Sequence, residues 1–376
     1  MTEQFRPIDL IRPPRIVFGA GTANRAGAWL AERGLSRILV VADAFNAARL
    51  DALGLTGEVS VFADIRAEPD TAALAAAVEA AESARAQAVV GFGGGSAMDL
   101  AKLAAVLPGS GLSLAQVSGV GRVPPRRVAL VQVPTTAGTG SEAGPRALIA
   151  DPESGAKVAT ESPEMMADLA AIDPALTMTV PPAVTAATGV DALAHCVEAF
   201  TNRKAHPAID LYAREGIRLA GRWLPRAVAH GGDVDARAAL ALASLYGGIC
   251  LGPVNTAAGH AVAYPLGTRF HVPHGAANAL IFPHVLAFNA PAVPERTAEI
   301  LAALGLPESA DPAAVFASAR AWCAGLGHRM RMSDYGVTEA DLPAMADEAH
   351  AIRRLLDNNP RDLGRDQILA IYRAAL

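Results

Sequence analysis

The sequence predicts an α/β domain over residues 1–180, followed by an all-helical domain over residues 181–376. In the first half, short β-branched runs alternate with alanine-rich stretches of helical length. After the double proline Pro181–Pro182, strand-like runs nearly vanish and long helical stretches remain. The length of 376 residues and the hydrophobic share of 52% are sufficient for two separate cores.

Five runs of the first half have the composition of buried strands. They are RIVF (15–18), SRILVVAD (36–43), EVSVFAD (58–64), QAVVGF (87–92) and RVALVQV (127–133). Residues 71–86 and 97–107, which lie between such runs, are rich in alanine and favour helices. Strands that alternate with helices in this way indicate a parallel sheet covered by helices.

Composition and charge argue against several classes of protein. The formal net charge is -5 and no long run of lysine or arginine stands out, so we expect no nucleic-acid partner. No window approaches about 18 consecutive apolar residues, and the N-terminus lacks the apolar core of a signal peptide, so we expect no membrane segment. Cys196, Cys250 and Cys323 form no CxxC pair, which favours reduced thiols in a cytoplasmic protein.

A glycine-rich segment, QAVVGFGGGSAMDLAK (87–102), leads from a predicted strand into a predicted helix. Glycine lets the backbone approach a ligand closely, and a helix N-terminus attracts phosphate groups. The dinucleotide pattern GxGxxG is not met, because Ser96 takes the place of its third glycine. The segment is therefore either a pyrophosphate-binding loop or a tight turn between strand and helix.

A second polar loop, VPTTAGTGSEAG (133–144), follows the last strong strand. Its hydroxyl groups suit the oxygens of ribose and phosphate, although the same composition is typical of a solvated loop. Both loops follow carboxyl ends of strands, where open α/β sheets bind ligands, so their joint occurrence favours a nucleotide site. Asp43 ends another strand, where it either binds an adenosine ribose, which favours NAD over NADP, or caps the next helix.

Asp191 and His195 are spaced i, i+4 within GVDALAHCVEAF, so they share one face of a predicted helix. A carboxylate and an imidazole among apolar neighbours are either a buried hydrogen-bonded pair or two ligands of a metal ion. Taken alone, the spacing favours the hydrogen-bonded pair.

Two further histidines change this interpretation. His260 and His274 lie fourteen residues apart in GHAVAYPLGTRFHVPHG (259–275). The segment between them contains the helix-disfavouring residues Pro265, Gly267 and Pro273. We therefore expect the chain to turn back, with one histidine at the end of a helix and the other at the start of the next. With Asp191 and His195 they would supply a carboxylate and three imidazoles, which suit Fe²⁺ or Zn²⁺.

Four segments together resemble the iron-containing (group III) alcohol dehydrogenase family, in the same order along the chain. They are GGGSAMDLAK, PTTAGTGSE, GVDALAHCVEAF and GH…PLG…PHGAANALIFPHV. The resemblance extends from RIVFGAG (15–21) to NNPR (358–361). It implies an NAD(P)-dependent oxidoreductase with an N-terminal dinucleotide-binding α/β domain and an all-α C-terminal domain, the architecture shared with dehydroquinate synthase.

The resemblance also implies roles for individual residues. The implied metal ligands are Asp191, His195, His260 and His274, which would hold Fe²⁺ or, as the alternative, Zn²⁺. The implied contacts at the pyrophosphate are Gly93, Gly94, Gly95 and Ser96, with Asp99 just inside the helix. The implied contacts to nicotinamide and ribose are Thr135, Thr136, Thr139, Ser141 and Lys157.

The sequence departs from the family at Tyr264, because a histidine usually precedes the PLG tripeptide. That histidine is thought to assist proton movement near the substrate. The unperturbed pKa of tyrosine is about 10, so Tyr264 is a weaker base at neutral pH and the relay or the substrate class is expected to differ. Tyr264 is one candidate catalytic residue, and His271 is a second, although its loop position is also typical of a solvent-facing histidine.

The implied reaction is hydride transfer between NAD(H) and a small alcohol or aldehyde, whose oxygen binds the metal. Maleylacetate reductase, which has the same fold and works without a metal, is the first alternative. A dehydroquinate synthase-like lyase and a non-enzymatic nucleotide sensor are further alternatives. The family also implies a homodimer or a larger homo-oligomer.

Overall fold

The computed structural model of the protein describes residues 6–65, 68–152 and 156–376. The chain forms two compact units. The α/β unit is Leu10–Met178, and the helical unit is Thr179–Leu376 together with residues 6–9. Every strand among the described residues lies in the α/β unit, so the predicted fold classes of the two halves are confirmed.

The α/β unit contains two sheets. Its strands are β1 (Arg15–Phe18), β2 (Arg37–Val41), β3 (Glu58–Phe62), β4 (Ala88–Gly93), β5 (Gly119–Val120), β6 (Ala129–Pro134), β7 (Arg146–Asp151), β8 (Ala156–Glu161) and β9 (Leu169–Ile172). Its α-helices are α1 (Arg25–Ala31), α2 (Ala44–Ala47), α3 (Thr71–Ser83), α4 (Gly95–Val106) and α5 (Leu114–Val117). A six-stranded parallel sheet has the order β1-β9-β6-β4-β2-β3, and the smaller sheet has the order β5-β8-β7.

The five runs predicted as strands coincide with β1, β2, β3, β4 and β6. The sequence did not predict β9, whose four residues LAAI are poor in β-branched side chains. β9 nevertheless lies inside the sheet, because it pairs with β1 on one side and with β6 on the other. Pairing with strands distant in the chain therefore outweighs its weak local preference.

Alternating side chains along the central strands separate two apolar cores. Leu39 and Val41 of β2 face a core shared with α3 and α4, whereas Ile38 and Val40 face a core shared with α1. All four side chains are buried. A strand covered on both faces needs a continuous apolar run, which is what the sequence of β2 contains.

Three adjacent strands carry the predicted nucleotide-binding segments. β4 pairs in parallel with β2 and β6, and Gly93 is in register with Pro134. Asp43 follows β2, the glycine loop (residues 93–96) joins the end of β4 to the start of α4, and the threonine loop (residues 135–141) follows β6. Since parallel strands end at the same edge of a sheet, these segments lie side by side at its carboxyl edge.

The helical unit is built from ten α-helices among its described residues. They are α6 (Pro182–Thr201), α7 (Pro207–Ala229), α8 (Val234–Leu251), α9 (Ala258–Phe270), α10 (His274–Asn289), α11 (Pro294–Ala303), α12 (Pro312–Gly325), α13 (Leu342–Ala351), α14 (Arg353–Leu356) and α15 (Arg365–Ala375). By length and composition α8 would be able to cross a membrane, but 67% of it is buried, as in a core helix. The three cysteines are free and buried.

The expected break between His260 and His274 is only partly correct. α9 continues through Pro265 and Gly267, so the prediction that these residues interrupt the helix is wrong. The chain reverses at His271, whose backbone is left-handed with a φ of 54°. Burial of α9 in the core of the helical unit outweighs the local cost of an internal proline. The prediction that His260 lies at the end of a helix is also wrong, because His260 lies in the first turn of α9, while His274 begins α10 as expected.

Candidate functional site

The glycine loop turns from β4 into α4 and packs tightly against neighbouring residues. Gly94 is the N-cap of α4, and because glycine has no side chain it cannot cap the first N–H groups of the helix. A Cβ at Gly93 would lie 2.8 Å from Ala97 Cβ, and a Cβ at Gly95 would lie 2.8 Å from Thr139 Cγ2. Packing therefore requires glycine at both positions. The N-terminus of α4 carries the positive end of the helix dipole, which is suited to bind a pyrophosphate.

The threonine loop lies beside the glycine loop. The backbone N–H of Thr135 donates to the carbonyl of Gly93 at 2.9 Å. A Cβ at Gly94 would lie 3.4 Å from Thr136 Oγ1. Ser96 occupies the first turn of α4. The structure therefore brings together the residues that the resemblance assigns to the pyrophosphate and to nicotinamide.

Asp43 is the N-cap of α2, one of the two roles that the sequence left open. Its Oδ1 accepts from the backbone N–H of Asn46 at 3.0 Å, and its Oδ2 accepts from the Asn46 side chain at 2.6 Å. Asn46 Nδ2 also contacts Thr135 Oγ1 at 3.3 Å. A Cβ at Gly93 would lie 3.4 Å from Asp43 Oδ2. The carboxylate therefore caps a helix and also lies against the glycine loop.

Asp99 and Ser141 connect α4 to the threonine loop. Asp99 Oδ1 accepts from Ser141 Oγ at 2.6 Å, and Oδ2 accepts from the backbone N–H of Leu148 at 2.9 Å. Lys102, which is buried, donates to Ser141 Oγ at 2.7 Å and to the carbonyl of Arg146 at 2.6 Å. The sequence interpretation missed Lys102, although its i, i+3 spacing from Asp99 places the two on one helix face.

Lys157 lies on β8, in the smaller sheet. Its Nζ forms an ion pair with Glu68 Oε1 at 2.8 Å. This pair gives the ammonium group a protein partner, and the role of Lys157 at a cofactor stays a prediction.

Asp191, His195, His260 and His274 converge within the helical unit. The first two lie on α6, His260 lies on α9, and His274 begins α10. Asp191 Oδ1 is 3.7 Å from His195 Nε2 and 3.5 Å from the Nε2 atoms of His260 and His274. The side chain of His274 is 30% exposed, whereas the other three side chains are buried. The set is therefore enclosed on most sides and accessible beside His274.

The distances from Asp191 are those expected between ligands of one cation. In a tetrahedral site with bonds of about 2.1 Å, neighbouring ligand atoms are about 3.4 Å apart. The distances of 3.5 to 3.7 Å from Asp191 Oδ1 are close to that value. One carboxylate oxygen and three imidazole nitrogens are also suitable donors for Fe²⁺ and Zn²⁺. Asp191, His195 and His260 each offer a ligand atom within 4.8 Å of the other two, so these three could hold one divalent ion, and the ligand role of His274 stays a prediction.

The charges of the site favour a cation at its centre. Burial alone raises the pKa of Asp191, but His195, His274 and His260 hold it well below its ordinary range. Burial lowers the pKa of His260, but Glu198 and Asp191 raise it to about 10. The buried carboxylate thus requires positive charge beside it, which protons or a metal ion can supply.

Two polar residues of the site were not predicted. Glu198 Oε2 lies 3.1 Å from His260 Nδ1, and Asn278 Nδ2 donates to Asp191 Oδ1 at 2.7 Å. Asn278 Nδ2 is also 3.2 Å from the Nε2 atoms of His260 and His274. Spacing was the available signal, because Glu198 follows Asp191 by seven residues and Asn278 follows His274 by four. Each therefore shares a helix face with a ligand.

The two candidate catalytic residues occupy different surroundings. Tyr264 lies one turn after His260 on α9, and its ring centroid is 5.8 Å from that of His274. His271 is exposed and forms the C-cap of α9. Tyr264 therefore borders the ligand set, whereas His271 has the exposure of a solvent-facing histidine and its catalytic role stays a prediction.

Comparison with known proteins connects this site to one family. Residues 13–174 match the family model described as iron-containing alcohol dehydrogenase. Residues 185–376 match the model described as the C-terminal part of the Fe-containing alcohol dehydrogenase family. Together the two matches include all four predicted metal ligands and both nucleotide-binding loops.

Individual relatives agree with this match. Long-chain-alcohol dehydrogenase 1 of Geobacillus thermodenitrificans is 35% identical, over 97% of this chain and 96% of the relative. The crystal structure of a 1,3-propanediol oxidoreductase has a TM-score of 0.93 at 31% identity, and covers 99% of this chain and 100% of the other. The crystal structure of sulfoacetaldehyde reductase from Bifidobacterium kashiwanohense in complex with NAD⁺ has a TM-score of 0.88 at 30% identity. It covers 98% of this chain and 99% of the other. The chain is an oxidoreductase of the alcohol dehydrogenase class and belongs to the iron-containing alcohol dehydrogenase family.

Proposed function

We propose that this enzyme transfers a hydride between NAD(H) and a small alcohol or aldehyde. The reaction would use Fe²⁺, or Zn²⁺ as the alternative, held by Asp191, His195, His260 and His274. The observation that carries the proposal is the convergence of these four side chains from α6, α9 and α10. Similarity to enzymes named for propanediol and sulfoacetaldehyde supports a small substrate, whereas similarity to an enzyme named for long-chain alcohols shows that the family also includes enzymes named for larger substrates.

The ligand set would hold and activate the substrate oxygen. A bound divalent ion supplies Lewis acidity, which lowers the pKa of an alcohol and stabilises negative charge on its oxygen. Asp191 would offset part of the charge of the ion. His195 and His260 are buried and keep water from their side of the site, which strengthens electrostatic interactions there. The exposed side of His274 would admit the substrate.

The α/β unit would hold the cofactor. The N-terminus of α4 would bind the pyrophosphate, and the hydroxyl groups of the threonine loop would bind ribose and orient nicotinamide. Asp43 would accept hydrogen bonds from the adenosine ribose and repel a 2′-phosphate, so we expect NAD in preference to NADP. The NAD⁺ complex of the related sulfoacetaldehyde reductase supports this choice.

Tyr264 is the proposed proton-relay residue. Its place on α9 beside His274 is where the family usually has a histidine. A phenol with an unperturbed pKa of about 10 keeps its proton at neutral pH. Tyr264 would therefore pass a proton by exchange along hydrogen bonds and would not store it as a histidine does.

The alternatives from the sequence are less well supported. A metal-independent maleylacetate reductase would not require Asp191, His195 and His260 to offer three buried ligand atoms within 4.8 Å of one another. Membership of an alcohol dehydrogenase family supports an oxidoreductase over a lyase or a nucleotide sensor.

The proposal is tested by following the absorbance of NADH as the purified enzyme oxidises short alcohols and hydroxy acids. Each assay is repeated after chelation and after addition of Fe²⁺ or Zn²⁺. We expect chelation to abolish activity and one of the ions to restore it. The His195→Ala variant should bind little metal and remain inactive, whereas the exposed-residue control His230→Ala should behave as wild type.

The outcome that contradicts the proposal is also measurable. Full activity in protein shown by elemental analysis to contain no metal would support maleylacetate reductase chemistry. Equal activity of wild type and His195→Ala would lead to the same conclusion.

We also propose that the enzyme is a cytoplasmic homodimer or larger homo-oligomer. Three buried, free cysteines are compatible with a reducing compartment. The oligomer is what the resemblance to the family implies. Light scattering after size-exclusion chromatography tests the assembly, and a monomeric mass at micromolar concentration would refute it.

A further inference from the structure

We propose that Glu198 is a positioning residue that fixes the tautomer and the orientation of the metal ligand His260. The inference rests on the proposed metal site and extends it to a residue outside the ligand set. Glu198 lies on α6 seven residues after Asp191, so it shares the ligand-bearing helix face. Its side chain is only 8% exposed, and a buried carboxylate requires several hydrogen-bond donors.

Three donors at the start of α9 surround the Glu198 carboxylate. Oε1 accepts from the backbone N–H of His260 at 3.0 Å. Oε2 accepts from the backbone N–H of Ala257 at 2.5 Å and from His260 Nδ1 at 3.1 Å. Ala257 is the N-cap of α9 and has no side chain that can cap the helix. Glu198 therefore supplies the cap from another helix and complements the positive end of the α9 dipole.

The bond at Nδ1 determines the chemistry of the other ring nitrogen. An ionised carboxylate only accepts hydrogen bonds, so Nδ1 of a neutral His260 must carry the ring proton. Nε2, which lies 3.5 Å from Asp191 Oδ1, then keeps its lone pair for a cation. Glu198 is on the opposite side of the ring from this nitrogen, so it orients a ligand and is not itself one.

An amide cannot replace this carboxylate without loss. Glutamine has one acceptor oxygen and one donor nitrogen, whereas all three groups around Glu198 are donors. In Glu198→Gln, either the N-terminus of α9 or Nδ1 of His260 therefore faces another donor. The orientation of His260 is then no longer fixed.

Gly259 shows how closely the carboxylate fits against α9. A Cβ at this position would lie 1.9 Å from Glu198 Oε1 and 3.1 Å from Glu198 Cδ. Alanine at this position would therefore displace the carboxylate or shift the helix. Gly259→Ala thus perturbs the same contact without changing any ionisable group.

The affinity of the purified protein for Co²⁺, measured by competition with a chromophoric chelator, tests the proposal. We expect Glu198→Gln and Gly259→Ala to weaken binding by about 10- to 100-fold, the usual effect of losing a partner of a metal-bound histidine. The visible absorption spectrum of bound Co²⁺ should also change, because His260 is misplaced. The matched controls are Glu215→Gln, on a side chain that is 40% exposed, and Gly325→Ala, where nothing lies within 4 Å of the added carbon. Both should bind as wild type.

A purely structural role predicts a different result. If Glu198 has only a structural role, Glu198→Gln and Gly259→Ala will have a lower melting temperature but the Co²⁺ affinity and Co²⁺ spectrum of wild type. That result would overturn the proposal. If Glu198→Gln does not fold, the Co²⁺ affinity is measured in Glu198→Asp instead. This variant keeps the charge and withdraws the carboxylate by one methylene group. Wild-type Co²⁺ affinity in Glu198→Asp would then overturn the proposal.

The same experiment separates this inference from the proposed metal site. Asp191→Asn removes a ligand and should abolish Co²⁺ binding. If wild type and Asp191→Asn bind Co²⁺ equally weakly, the metal site itself is refuted, and the role of Glu198 with it. Tight binding that needs Asp191 but not Glu198 refutes only the role of Glu198.

Discussion

Gly95 and Thr139 are so close that a Cβ at position 95 would lie 2.8 Å from Thr139 Cγ2 and 3.3 Å from Thr139 Oγ1. Gly95 begins α4, and Thr139 belongs to the loop after β6. Their contact therefore fixes the distance between the two loops that we expect to bind the cofactor. Any side chain at position 95 would push these loops apart.

We predict that Gly95→Ala weakens the binding of NAD⁺. Overpacking costs roughly 1 to 3 kcal/mol, so the dissociation constant should rise about tenfold or more. Isothermal titration calorimetry with NAD⁺ measures the change. Adding Thr139→Ser removes Cγ2 and should restore part of the affinity. A double variant that binds no better than Gly95→Ala would show that the contact is not the cause.

We predict that Asp43→Asn reduces the preference for NAD over NADP. Asparagine retains the helix-capping oxygen of Asp43 but removes the negative charge that would repel a 2′-phosphate. The ratio of kcat/KM values for the two cofactors should fall by roughly tenfold, which corresponds to about 1.4 kcal/mol. The control Asp70→Asn makes the same change at the N-cap of α3 and should leave the ratio unchanged. An unaltered ratio in Asp43→Asn would exclude the ribose-binding role.

We predict that the hydroxyl group of Tyr264 contributes to proton transfer. Tyr264→Phe should lower kcat by about 100-fold, at the lower end of the range for general acid–base groups, and leave the metal content unchanged. Tyr264→His should recover activity and add a titration near about pH 6.5 to the pH profile of kcat. Tyr335→Phe, in the same apolar core, is the control. Wild-type kcat in Tyr264→Phe would assign the relay to ribose hydroxyls or water.

We predict that His284 makes the protein sensitive to acid. Its ring packs against Phe316 with centroids 4.6 Å apart, and burial, together with Arg320, lowers the pKa of His284 to about 4. An unfolded histidine titrates near about pH 6.5, so as the pH falls the unfolded chain binds the proton first. The stabilising effect of neutral His284 is therefore complete above about pH 6.5 and is lost as the pH falls toward 4.

Urea unfolding at pH 7 and pH 4 measures this effect. Between pH 7 and pH 4 the free energy of unfolding should fall by about 3 kcal/mol more in wild type than in His284→Gln. Only wild type has a buried histidine at this position whose protonation favours the unfolded chain. His230→Gln changes an exposed histidine and should behave as wild type. Equal losses in wild type and His284→Gln would show that another group causes the acid sensitivity.

By itself, the sequence determined the two fold classes and the central strands, and it predicted the chemistry of the site. Strands such as β2 are covered on both faces, so their apolar runs are visible without knowledge of their partners. The glycine loop and the i, i+4 pair Asp191 and His195 are local patterns, and local patterns are preserved when the chain folds. The breaks between His260 and His274 suggested these two histidines as further ligands, and the resemblance to a family then implied the same four residues.

Only the tertiary structure decided the features that depend on distant contacts. β9 lies inside the sheet because β1 and β6 pair with it, and α9 passes through Pro265 because its surroundings bury it. Glu198 and His260 are 62 residues apart in the chain, yet one carboxylate orients that ring and caps its helix. The spacing of residues in the sequence places a side chain on one face of a helix. Which partner that side chain contacts, and how strongly, depends on the helix that packs against that face in the folded protein.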